Sequence, residues 1–123
     1  MLYAILCYDS EDVVWSWSKA EEEAVMARLD AVQQKLKAQG KLGPVARLLP
    51  TTAATTIRKS GEPLVMDGPF SETKEQLLGF YIVDVENLDE AIAISKDLAK
   101  ASGSAGAFEL RPLAVFRPGT AGA

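Results

Sequence analysis

The sequence predicts an α+β fold: a ferredoxin-like split βαβ domain with an inserted β-hairpin, forming a dimeric α+β barrel with a second copy. Three observations predict it. Strand-like and helix-like segments follow the order β-α-β-β-β-β-α-β, and removing one hairpin leaves β-α-β twice. The two strongest strands are apolar on both alternating sets of residues. Only two segments have the length and pattern of helices that could cover a sheet, which leaves one apolar face to be covered by a second copy or by the inserted hairpin folding over it.

Leu2 to Tyr8 is a short apolar run of β-formers and reads as a buried strand. Asp9 to Trp17 reads as a loop with two tryptophans. Ser18 and Glu21 have the spacing of a capping box. Behind them Val25, Leu29, Val32 and Leu36 recur on one helical face, and Gly40 supplies the stop, so a helix is expected over 19–39. Val45 to Leu49 and Ala54 to Lys59 read as strands separated by a bend at Pro50-Thr-Thr. Ser60-Gly61-Glu62 is a hairpin loop into a strand over Pro63 to Met66. Ser71 to Gln76 reads as one helical turn, and Leu78 to Val85 as the strongest strand. Asn87 caps a second helix with Glu90 three residues on, and its expected inner face is Leu88, Ala91, Ile92, Ser95, Leu98 and Ala99. Phe108 to Phe116 is a last strand. Residues 1–117 read as one domain and 118–123 as a disordered tail.

Composition narrows the chemistry. The chain has 123 residues, 48% hydrophobic and 24% charged, the balance of a globular domain. It contains no histidine, which removes catalytic triads, histidine bases and histidine metal sites. Its one cysteine, Cys7, excludes an intrachain disulfide, and in an apolar strand it reads as an inert buried residue. Thirteen Lys and Arg against seventeen Asp and Glu leave a net charge of −4 without the basic stripe of a nucleic-acid binder. No apolar run reaches the length of a membrane span, and no leader is recognisable, so a cytoplasmic location is expected. Nothing in the sequence calls for a metal or an organic cofactor.

The densest cluster of special residues is Asp67 to Glu75, DGPFSETKE. Pro69 lacks the N–H that would close an Asp-Gly hairpin turn, so Gly68-Pro69 reads as a rigid bend, with Phe70 anchoring it in the core. Asp67 has two readings: a general base or ligand anchor, or an acceptor for backbone N–H groups in an Asx-turn. Lys74 is either a partner for an anionic ligand or a solvated charge. Arg47 and Arg58 fall within strands, where they either face the interior and pair with Asp67 or an acidic ligand, or guard an exposed edge. Tyr8 and Asp9, with Arg47 and Asp67, are candidate lining residues of a cleft near the ends of the central strands. Tyr3 and Tyr81 could line it too, with Trp15 and Trp17 as a lid or as packing before the helix.

DGPFSETKEQLLGFYIVDVENLDEA over Asp67 to Ala91 resembles the signature of the DGPF-domain, YCII-related family. The preceding ARLLPTTAATTIRKSGEPLVMDGPF and the later ELRPL fit the same layout. The resemblance spans about residues 1–117. It implies a homodimeric α+β barrel in a family of small bacterial proteins of unestablished function. Some members are encoded beside extracytoplasmic-function sigma factors or fused to them. Leu78-Gly79 stands where the family commonly has Gly-Gly, a side chain expected to narrow a nearby pocket. One branch of the superfamily carries a His-plus-Asp site; without a histidine that activity does not transfer, and Asp67 is the only acidic counterpart. The expected role is a small-molecule-binding protein or cofactor-independent enzyme; the alternative is a regulatory module that engages a sigma factor.

Overall fold

A computed structural model describes residues 1–122. Its elements are β1 (Leu2–Asp9), α1 (Glu11–Val14), α2 (Lys19–Ala38), β2 (Leu42–Arg47), β3 (Thr55–Arg58), β4 (Leu64–Asp67), β5 (Gln76–Asp84), α3 (Leu88–Ser102) and β6 (Ala107–Pro112), with a 3-10 turn at Thr51–Ala53. Four strands form an antiparallel sheet in the order β2-β5-β1-β6, and β3 and β4 form a separate two-stranded ribbon. The order fits the ferredoxin-like split βαβ arrangement, with the ribbon inserted between β2 and β5.

The helix ends follow the sequence closely. Ser18 Oγ accepts a bond from the Glu21 N–H at 3.1 Å, and Asn87 Oδ1 accepts from the Glu90 N–H at 3.0 Å. Past Ala38 the Lys41 N–H donates to the Leu36 carbonyl and the Gly40 N–H to the Lys37 carbonyl, with Gly40 at φ +70°. This pair of bonds is the Schellman closure that a left-handed glycine permits. Arg28 Nε donates to the Ala101 carbonyl at 2.9 Å and ties α2 to the end of α3. Ser18→Ala removes the side-chain cap of a 20-residue helix and should cost about 1 kcal/mol, read as a lower denaturation midpoint at unchanged m-value.

The core lies between the sheet and the two long helices. Tyr3, Ile5, Tyr81 and Val83 point from β1 and β5 toward Leu36, Ala91, Ile94 and Leu98. The register explains the grouping: Tyr3 opposes Val83 and Ile5 opposes both Tyr81 and Leu110, so all lie on one side of the pleat. Ala4, Leu6, Phe80 and Ile82 take the other side.

Several expectations need correction. The segment after Asp9 contains a one-turn helix, α1, whose Glu11 and Asp12 suit the positive end of a helix. The buried stripe of α3 is Ala91, Ile94, Ser95, Leu98 and Ala101; Leu88 and Ile92 lie on its outer flank. No helical turn forms over 71–76. There the Thr73 hydroxyl donates to the Glu75 carbonyl and the Gln76 side chain to the Thr73 carbonyl, local bonds that compete with helix. The last strand stops at Pro112, which leaves Val115 and Phe116 exposed. Phe70 is 69% exposed and anchors nothing in the core; the Arg58 guanidinium sits 4.7 Å from its ring centre.

Candidate functional site

A cavity of about 230 Å³ opens between the helix-facing side of the sheet and the helices, where β1 and β2 end and β5 and β6 begin. Antiparallel pairing brings these strand ends together, and α2 roofs them with Val25, Met26, Leu29 and Gln33. The floor is largely apolar: Cys7, Tyr81, Phe108 and Val45. Two glycines let the backbones close up beneath it. A Cβ on Gly79 would lie 2.1 Å from the Ala46 carbonyl oxygen, and one on Gly106 would lie 2.1 Å from the Tyr8 carbonyl oxygen and 2.9 Å from Asp9 Cγ.

Tyr8, Asp9 and Arg47 all line this cavity. Asp9 is 7% exposed, and its Oδ1 accepts the Ser10 N–H at 2.7 Å. Arg47 does not pair with Asp67. Its guanidinium lies 3.2 Å from Glu22 Oε1 and 4.7 Å from the centre of the Trp15 ring. It thereby joins the end of β2 to α1 and to the first turn of α2. Trp17 and Leu78 also face the cavity. Tyr3 and Arg58 do not line it, Tyr3 being packed in the core and Arg58 lying on the ribbon.

Asp67 and Lys74 stand apart. Both are exposed, Asp67 at the end of β4 and Lys74 in the bend before β5. The glycine and proline after Asp67 border a second, more open groove with Thr51, Thr52 and Ser71 to Thr73. Gly68, at φ +94°, is fastened to the ribbon: its N–H donates to the Ala54 carbonyl, and its carbonyl accepts the Thr56 hydroxyl.

One linking residue, Glu11, has no marked signal in the sequence. Its carboxylate accepts both the N–H and the hydroxyl of Thr51 at 2.6 Å, and its own N–H donates to Gln76 Oε1 at 3.0 Å. Glu11 thus joins α1, at the edge of the cavity, to the turn that borders the groove. A lone glutamate in a segment without periodicity offers no spacing by which to find it.

Burial pushes the Cys7 thiol up from 9.0 to about 12. It also raises Tyr81, reinforced by the neighbouring Cys7 and opposed by the Gln33 side chain. Thiolate, not thiol, attacks disulfides. Cys7 in the folded protein should therefore react with a disulfide reagent at pH 8 at least a hundredfold more slowly than in denaturant. The unfolded chain ionises this thiol from its ordinary value upward while the folded chain resists. Its contribution to stability is therefore full below about pH 9 and falls as pH rises toward 12.

The YCII-related domain model matches residues 1–117. An uncharacterized protein of Rhizobium meliloti (strain 1021) is 61% identical over 120 residues, covering 97% of each chain. Among the described residues no helix is long and apolar enough to cross a membrane.

Proposed function

This chain belongs to the YCII-related family, and we propose that it is a homodimeric small-molecule-binding protein whose ligand enters the cavity lined by Tyr8, Asp9 and Arg47. The observation that carries this reading is the cavity itself. It is concave and mostly apolar, with a few polar groups converging where strand ends meet, the usual construction of a ligand site. Its volume exceeds the roughly 150 Å³ of an engineered apolar cavity that admits benzene.

A thermal-shift screen with a broad metabolite panel tests it, run on the wild type, Asp9→Asn and Asp67→Asn. A compound that raises the wild-type melting temperature should lose that effect in Asp9→Asn and keep it in Asp67→Asn. The reverse pattern would move the site to the bend after β4. A panel that shifts nothing would direct attention to the second reading, a regulatory module that binds a protein such as a sigma factor.

The dimer is supported by exposed surface. A monomer of 13.2 kDa is expected to show roughly 6,400 Å². This chain shows 8586 Å², about a third more. The ribbon contributes to the apolar exposure, with Ile57, Leu64, Val65 and Met66 all uncovered. A stable partner typically covers about 800 Å² of each chain, well within that excess. Light scattering at micromolar concentration should give twice the chain mass.

A further inference from the structure

Resting on the binding role proposed above, we infer that the cavity takes a small apolar amine, with its ammonium group against Asp9 and its hydrocarbon body among the aromatic and aliphatic walls. Of the residues lining the cavity, only Asp9 and Arg47 carry charge. Arg47 is already engaged by Glu22 and the Trp15 ring. Asp9 is not matched in this way. Among the described residues none of the ion pairs includes it, and the one hydrogen bond its carboxylate makes is the Ser10 N–H on Oδ1.

A carboxylate has acceptor capacity for about four hydrogen bonds, and a nine-tenths buried one with a single donor is poorly compensated. Among the described residues no fully buried side-chain nitrogen or oxygen lacks a partner. The second oxygen of Asp9 has no partner and is not fully buried, and Asp9 lines the cavity. A methyl group at Gly106 would press on the Asp9 carboxyl carbon.

An ammonium group supplies both what the carboxylate lacks, positive charge and up to three donors. The rings of Trp17 and Phe108 line the same space and attract cations through their faces. A carboxylic acid or phosphate would meet repulsion from Asp9 instead. The volume, about 230 Å³, suits one ring with a short tail.

Calorimetric titration of the full chain with 2-phenylethylamine, 2-phenylethanol and 3-phenylpropionate tests the inference, on wild type and Asp9→Asn. The amine should bind wild type at least tenfold more tightly than the alcohol, and the acid should bind least. Asp9→Asn should lose at least tenfold for the amine and keep its affinity for the alcohol, which also reports that the variant is folded. Methyl resonances of Val25 and Leu29 should move on amine binding. Alcohol or acid binding as tightly as the amine overturns the amine inference while leaving a binding cavity in place. Undiminished binding of the amine to Asp9→Asn overturns it equally. Failure of all three probes on wild type also overturns it, and the metabolite panel then decides separately whether the cavity binds anything. The wild-type ranking needs no variant, so a misfolded Asp9→Asn does not rescue the inference.

Discussion

Gly79→Ala should destabilise the protein by about 3 kcal/mol, the upper end of overpacking costs. For a domain of this size that is a fall in melting temperature of roughly 12 °C. Gly79 lies in β5 between two strands, paired with Cys7 of β1 and Arg47 of β2. The added methyl would sit 2.1 Å from the Ala46 carbonyl oxygen and 3.1 Å from Arg47 Cα. These are backbone atoms of a hydrogen-bonded ladder, so no rotamer change relieves the clash, and β2 must separate from β5. Thermal denaturation followed by circular dichroism measures the effect. A fall below about 3 °C would show that β2 slides freely on β5 and that the close approach is not a structural requirement.

Ile5→Ala should cost between about 2 and 5 kcal/mol. Ile5 is fully buried at the centre of the sheet, opposite Tyr81 on one side and Leu110 on the other, beneath both long helices. Truncation loses the transfer energy of three carbons and leaves a void that neighbours on two strands cannot fill. Urea denaturation with a shared m-value reads the loss. Val65→Ala is the informative companion. Val65 is 64% exposed on the ribbon, so within one chain its truncation should cost no more than about 0.5 kcal/mol. A markedly larger cost that grows with protein concentration would place Val65 in the contact between copies.

Elements whose signals are local are readable in the sequence. The cap at Ser18, the three- and four-residue spacing from Val25 to Leu36 and the stop at Gly40 specify α2 without long-range information, and the structure shows it at 19–38. The apolar density of Leu78 to Val85 marks a central strand for the same reason, and β5 lies between β2 and β1. Where distant neighbours decide the outcome, local pattern misleads. It sets the inner face of α3 too far toward Leu88 and Ile92, because periodicity alone does not fix which edge of an apolar stripe meets the sheet. Phe70 has the chemistry of an anchor, as aromatic residues usually do, yet its ring lies exposed beside Arg58.

The candidate site divides along the same line. Tyr8, Asp9 and Arg47 meet because strand ends meet in a split βαβ sheet, and that topology follows from the order of elements. Asp67 stands out in the sequence through its unusual neighbours, Gly68 and Pro69. Those residues shape a bend at the end of the ribbon, apart from the residues that line the cavity. The glutamates that organise the surroundings, Glu11 and Glu22, are ordinary in sequence and take their roles from residues 40 and 25 positions away.

The hydrogen bond from the Leu48 N–H to the Leu78 carbonyl, at 2.7 Å, closes the base of the excursion that carries the ribbon. The chain leaves the sheet and returns to it at touching points, so the frame is geometrically complete whatever lies between them. Loop-closure entropy changes by only about 0.6 kcal/mol for each doubling of length. This junction is therefore a seam along which the insert can be lengthened, shortened or exchanged at little expense to the frame. Shape at the ribbon and chemistry in the cavity thus belong to separate parts of the chain, joined across the seam by the grip of Glu11 on Thr51.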